Sequence, residues 1–267
     1  MQSLYRSTRK VIKQACLGTL DIFDSSARRR EMIPPRTKIY VGDGDYKAVG
    51  QEFLHLFTKY GGLTPEDKVL DVGSGTGRMA VPLTGYLKNE YQGFEIVKEG
   101  VQWCQENISS RYKNFHFTHA DIRNEFYNPH GKYEAENYRF PYNSGEFDFV
   151  FLTSVFTHMY PDPVENYLGE IVRVLKAGGT CFITMFLLND ESTSLIKRGK
   201  SSQNFIHELN GCFTANPEIP EGSLAFTEEY VRRLFDLNGL TIKNIHRGSW
   251  CGRERFLSYQ DVIVATR

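Results

Sequence analysis

Apolar and polar positions change rhythm three times along the chain. Near the start, Ile12, Cys16, Leu20 and Phe23 recur at helical spacing among Lys10, Lys13 and Asp21, which predicts an amphipathic helix that ends before Pro34 and Pro35. Val49, Phe53, Phe57 and Tyr60 then form one face of a helix predicted over 46–60, with Gly61 and Gly62 as its stop. From there short apolar runs at 68–72, 91–95, 115–120, 147–152 and 179–187 alternate with helical segments that start near 78, 98 and 163. Buried runs alternating with helices predict a parallel sheet covered on both faces. In such sheets ligands sit beyond the carboxyl ends of the strands.

The tail breaks the alternation. After a helix at 227–237, "LTIKNIH" and "YQDVIVATR" read as two strands joined by about a dozen residues without helical pattern, a connection that suits an antiparallel pair. Two long stretches, 122–146 and 188–225, show no period and are expected as functional loops on the side where strands end. The division this implies is a basic helical extension over 1–45, acting as a lid or packed support, and one α/β domain over 46–267.

Composition narrows the function. The formal net charge is zero, so no global field draws the chain to nucleic acid, and no core stripe of basic residues offers a nucleic-acid surface. Residues 1–36 nevertheless carry eight Lys or Arg against three acids, a charge of +5 that leaves weak peripheral membrane contact open for the N-terminal helix. The five cysteines are far apart and form no metal-ligand spacing, which fits reduced thiols in a cytoplasmic protein without a bound metal. No run approaches the length of a membrane span, and no export leader is evident.

The chemistry concentrates in "VLDVGSGTGRMA", residues 69–80. Gly75, Gly77 and Ala80 fit the GxGxxA turn of a dinucleotide site, with Glu95 at the interval expected of a ribose ligand. Asp71 and Gly73 fit a different nucleoside site, in which a carboxylate before the first glycine would repel a pyrophosphate and suit a cationic cofactor. The turn alone leaves both readings open.

Its surroundings favour the second. "VLDVGSGTGR" resembles the first motif of the class I S-adenosylmethionine-dependent methyltransferases, and "GFEI" (93–96), "HADI" (119–122), "FDFVFLTSVFTHM" (147–159), "VLKAGG" (174–179) and the tail "YQDVIVATR" are similar to later motifs of that family, in order. The resemblance spans roughly residues 40–267. It implies a Rossmann-like seven-stranded, mostly parallel sheet of order 3-2-1-4-5-7-6 with strand 7 antiparallel, helices on both faces, and S-adenosylmethionine as cofactor. It also implies a cofactor site of Asp71, Gly73, Ser74, Gly75, Gly77, Glu95, Ile96, Asp121, Ile122, Thr153 and Phe156, with Glu95 on the ribose hydroxyls, Ile96 on the adenine face and Asp121 on its amino group. His158 is the candidate general base, its imidazole suited to taking a proton from a hydroxyl or amine. Arg36, Tyr40 and Tyr46 are candidates for the methionyl carboxylate, Arg78 for an acid near the site, and Trp250, Arg253 and Arg255 for an anionic acceptor. The expected reaction is methyl transfer to a small or medium acceptor, on oxygen by preference because no amine-methylating Asn/Asp-Pro-Pro-Tyr-like run is present. An NAD-type oxidoreductase and a non-catalytic cofactor-binding protein are the competing readings.

Overall fold

The computed structural model describes residues 20, 21, 25–40, 42 and 44–267. Of the N-terminal amphipathic helix, Ile12, Cys16 and Phe23 lie outside them.

Among the described residues ten strands form one sheet: β1 Val69–Val72, β2 Tyr91–Glu95, β3 Phe115–His119, β4 Phe147–Leu152, β5 Leu175–Leu188, β6 His207–Leu209, β7 Cys212–Thr214, β8 Leu224–Thr227, β9 Thr241–His246 and β10 Asp261–Thr266. The first five run parallel in the order β3-β2-β1-β4-β5. β10 lies antiparallel on β5, and β9 antiparallel on β10. Counted without the three short strands, the order is 3-2-1-4-5-7-6 with the seventh reversed, as the motifs imply.

β5 is the hinge of the architecture because it serves two neighbours on one edge. Thr180–Met185 pair with β10, while Phe186–Leu188 run on past it and pair with β8, which leads through β7 to β6. The segment expected to be a loop over 188–225 thus holds a helix and β6, β7 and the start of β8. The Ala177–Gly179 stretch, just ahead of the strand expected over 179–187, is a break in the ladder between Leu175 and Thr180, with Gly178 at φ +77°.

The faces are covered by the helices α1 Tyr46–Lys59, α2 Ala80–Leu83, α3 Lys98–Cys104, α4 Pro161–Val174, α5 Asp190–Lys197 and α6 Glu228–Leu237. Strand alternation sorts the core into two layers. Leu70, Val72, Val150 and Leu152 face α4 and α6, whose Leu168, Ile171, Leu234 and Phe235 are buried against them. Val69, Phe149, Phe151 and Phe182 face α1, α2 and α3 through Leu56, Phe57, Leu83 and Val101. Side chains cap three of these helices, Asp45 accepting from Ala48 N at 2.7 Å, Asn189 from Ser192 N at 3.0 Å and Thr227 from Tyr230 N at 3.3 Å. Where a helix was expected near 78, α2 is a single turn with Pro82 inside it. Among the described residues no helix is long and apolar enough to cross a membrane.

Candidate active site

After β1 the chain turns on Gly73 and Gly77, at φ +82° and +81°. A Cβ at Gly73 would meet Val155 Cγ2 at 2.5 Å and one at Gly77 would meet Ile108 Cδ1 at 2.6 Å, so both positions exclude a side chain by conformation and by space. Gly73 N and Ser74 N donate to the Phe94 carbonyl at 2.9 and 3.0 Å, locking the turn to the end of β2. The next residue of the turn reaches Glu95. Gly75 N donates to Glu95 Oε2 at 2.8 Å, and Val97 N donates to Oε1 at 2.9 Å. Burial pushes the Glu95 carboxyl above its ordinary value, against the backbone N–H groups that favour its ionised form.

A cavity of about 730 Å³ opens beyond the carboxyl ends of the strands, within the size range of small-molecule sites. Gly73, Ser74, Gly75, Glu95, Ile96 and Ile122 wall one end of it, and Thr153 and His158 its middle. Four of the residues expected there are elsewhere. Asp71 lies on the opposite face of β1 from Val72, fully buried, and its Oδ2 accepts from the Tyr91 hydroxyl. Burial holds its carboxyl at about 8, with the Tyr91 bond opposing and the charge of Glu95 adding to the rise. It is therefore not a negative charge exposed to a cofactor. Gly77 packs under the turn against Ile108 and Cys104. Asp121 points away into its own loop, with Oδ1 3.3 Å from Asn128 Nδ2 and Oδ2 3.7 Å from Lys132 Nζ, while its carbonyl accepts from Lys132 N and Tyr133 N. Phe156 is fully buried in the core layer under α4 and α6.

His158 ends the 3-10 turn Phe156–His158 that follows β4. Its Nδ1 is 2.7 Å from the Glu221 carbonyl, an oxygen that can only accept, so Nδ1 carries the proton and Nε2 is an acceptor. Nε2 lies 3.4 Å from the Tyr127 hydroxyl. Burial lowers the imidazole below 6.5, with the Glu221 carbonyl opposing, and burial with the charge of Glu95 pushes the Tyr127 hydroxyl up to about 12. Tyr127 belongs to the aromatic-rich stretch after β3, within the loop expected over 122–146, and lines the cavity.

The strap ahead of α1 closes over the same end. Tyr40 meets Tyr127 edge to face at 6.2 Å, and its hydroxyl, which has no hydrogen-bond partner among the described residues, lies against Gly100. Tyr46 donates to the Thr76 carbonyl at 2.8 Å, and Arg78 donates to the Gly42 carbonyl at 3.1 Å with its guanidinium 5.4 Å from the Tyr46 ring. Arg36 turns outward from the cavity to pair with Asp21 at 3.3 Å. Of these candidates only Tyr40 and Arg78 line the cavity.

The final turn holds structure rather than an anion. Arg253 bridges Glu191 at 2.8 Å and the fully buried Asp261 at 3.1 Å, and Trp250 Nε1 donates to Asp261 at 2.7 Å. Arg255 is exposed and does not reach the cavity. Sequence reasoning missed the far end of the cavity, where Glu52, Phe53, Phe186, Gln203, Ser258 and Gln260 meet from α1, β5, the segment before β6 and the turn before β10. No short-range pattern links these positions. No cluster of His, Cys, Asp or Glu among the described residues could hold a metal ion.

Comparison with known proteins bears on this geometry. A family model described as "Methyltransferase domain" matches residues 70–183, from the middle of β1 into β5. A sterol 24-C-methyltransferase of Schizosaccharomyces pombe is 23% identical over 162 residues, covering 61% of this chain and 39% of its own length, so the match spans about two-fifths of that relative. A solved protein of Pyrococcus horikoshii shares the fold with a TM-score of 0.59 at 18% identity, over 86% of this chain and 94% of that one. The 1,6-didemethyltoxoflavin-N1-methyltransferase of Burkholderia thailandensis, solved with 1,6-didemethyltoxoflavin and S-adenosylhomocysteine bound, aligns with a TM-score of 0.51 at 15% identity over 98% of this chain and 89% of that one. Residues 70–183 match a methyltransferase-domain model, and the glycine turn and strand order there agree with the class I S-adenosylmethionine-dependent methyltransferase fold.

Proposed function

We propose that the chain transfers a methyl group from S-adenosylmethionine to a hydroxyl oxygen of a small or medium acceptor, in the cavity beyond β1, β2 and β4. The observation that carries this is the Glu95 carboxylate, which faces the cavity with each oxygen already fixed by one backbone N–H and further lone pairs open to a pair of ribose hydroxyls. Ile96 and Ile122 offer apolar contact to an adenine, and the turn from Gly73 to Gly75 brings backbone close to a ligand without side chains in the way. Asp71, Gly77 and Phe156 support this end from beneath rather than touching the cofactor, and Asp121 shapes the loop beside it.

When bound, S-adenosylmethionine supplies a methyl group already activated by its sulfonium. The chain's main task is to hold donor and acceptor in line, which contributes on the order of 7–11 kcal/mol. His158 has the second task. With Nδ1–H held by Glu221 and the imidazole below 6.5, Nε2 is unprotonated at neutral pH and takes the proton shed by the acceptor hydroxyl. Residues 1–45 serve in this reading as an extension whose strap, at Tyr40, covers the cofactor end of the domain at 46–267. The four described cysteines carry no disulfide, in keeping with a cytoplasmic setting.

Thermal unfolding tests the reading. S-adenosylhomocysteine at a hundred times its Kd should stabilise the protein by about 2.7 kcal/mol, and NAD(H) should leave the melting temperature unchanged. A larger shift with NAD(H) overturns it in favour of the dinucleotide site.

A further inference from the structure

The far end of the cavity is built by a device separate from the glycine turn. Because β10 runs antiparallel, its first residue, Asp261, lies beside Met185 near the carboxyl end of β5. The residues just before it are thereby brought to the rim where the parallel strands end. Gln260 is oriented there by a directional chain. Ser154 N donates to Thr184 Oγ1 at 2.8 Å, so the Thr184 hydroxyl spends its own proton on Gln260 Oε1, at 2.6 Å. Gln260 Nε2 is left with two N–H donors on the cavity wall and no partner among the described residues.

Two acceptors stand near by. Glu52 Oε1 is fixed by the Ser258 hydroxyl at 2.6 Å, and Gln203 turns its amide nitrogen to the Tyr259 hydroxyl at 3.4 Å, leaving its oxygen open. Phe53 and Phe186 add apolar faces. The cations of the cavity wall are engaged elsewhere: Arg78 at Gly42 and Tyr46, Arg123 with Glu125 and Glu134 at 4.0 and 3.6 Å.

We propose that this end, Gln260 with Glu52 and Gln203, is the acceptor subsite and that it takes an uncharged ring bearing hydroxyl or carbonyl groups. A carboxylate or phosphate is rejected there, since it would meet the Glu52 carboxylate with no cation to offset it. The inference rests on the methyltransferase reading of the same cavity. It adds the chemical class of the acceptor and the residues that select it.

The test uses the full chain saturated with S-adenosylhomocysteine, whose binding is established first by the melting shift. Two probe pairs, catechol with 3,4-dihydroxybenzoate and methyl β-glucoside with glucuronate, are titrated to millimolar concentration by ligand-observed saturation-transfer NMR. At least one uncharged member should bind, with its carboxylate partner at least tenfold weaker. Gln260→Leu should weaken the bound uncharged probe at least threefold, and Glu52→Gln, an exposed position, should shrink the discrimination to about threefold. Equal or tighter binding of a carboxylate, no binding of either uncharged probe, or indifference to both substitutions overturns the acceptor class while leaving the cofactor reading intact. Failure of S-adenosylhomocysteine to bind overturns that reading instead, before any probe is added.

Discussion

At the β1–β2 end of the cavity, the inward carboxylate is held by backbone N–H groups of its own neighbourhood, Gly75 twenty positions away and Val97 two. At the β5–β10 end the links cross the whole chain: Ser258 to Glu52 over 206 positions, Thr184 to Gln260 over 76. One end is fixed by a strand, a turn and the next strand. The other exists only once α1, β5 and β10 have packed. The two ends should accordingly fail in different ways.

The largest expected effect falls on the assembled end. Asp261 is fully buried and accepts from Gly248 N at 2.9 Å, Leu187 N at 3.0 Å and Trp250 Nε1 at 2.7 Å, with Arg253 as its counter-ion. Asp261→Ala strands the Arg253 charge, and chemical denaturation should show a loss of about 3–5 kcal/mol. Below the denaturation midpoint, S-adenosylhomocysteine affinity should stay within about threefold of the parent, a difference near 0.7 kcal/mol. A collapse of both together would mean that the ends are one cooperative structure.

The opposite pattern is expected of Glu95→Gln. The amide offers one acceptor oxygen where the carboxylate offers two, and it lacks the charge that strengthens each bond. Calorimetry should record about a hundredfold weaker S-adenosylhomocysteine binding, near 3 kcal/mol, and denaturation a smaller loss of about 1 kcal/mol. Binding unchanged by this substitution would remove the observation on which the proposed function stands.

The same contrast explains what could be read from the chain alone. β1 to β4 and the reversed β10 were legible as short runs of four to six residues, and the glycine turn because its spacing is local. Glu95, Ile96 and Ile122 followed by position. Asp71 was misjudged because its place depends on the pleat, which turns its carboxyl toward Tyr91 and away from the ligand side. β6 and β7 were invisible since three residues give alternation too few positions to register. Gln203, Gln260 and Glu52 have no shared pattern, and only the fold makes them neighbours of one cavity.

The strap at Tyr40 joins this comparison as a third case, contributed by the segment before α1 to the cofactor end. Its ring packs on Tyr127, but its buried hydroxyl makes no hydrogen bond among the described residues, and burial raises its pKa well above the ordinary tyrosine value. Tyr40→Phe keeps the ring contact and removes only the oxygen, so stability should move by no more than about 0.5 kcal/mol. If the hydroxyl finds its partner in the bound cofactor, S-adenosylhomocysteine affinity should fall about threefold to tenfold, the value of one neutral hydrogen bond. Loss of affinity without loss of stability would assign the strap to the ligand; affinity within error of the parent would leave it a packed cover, and the cofactor end would then be built by β1, β2 and their turns alone.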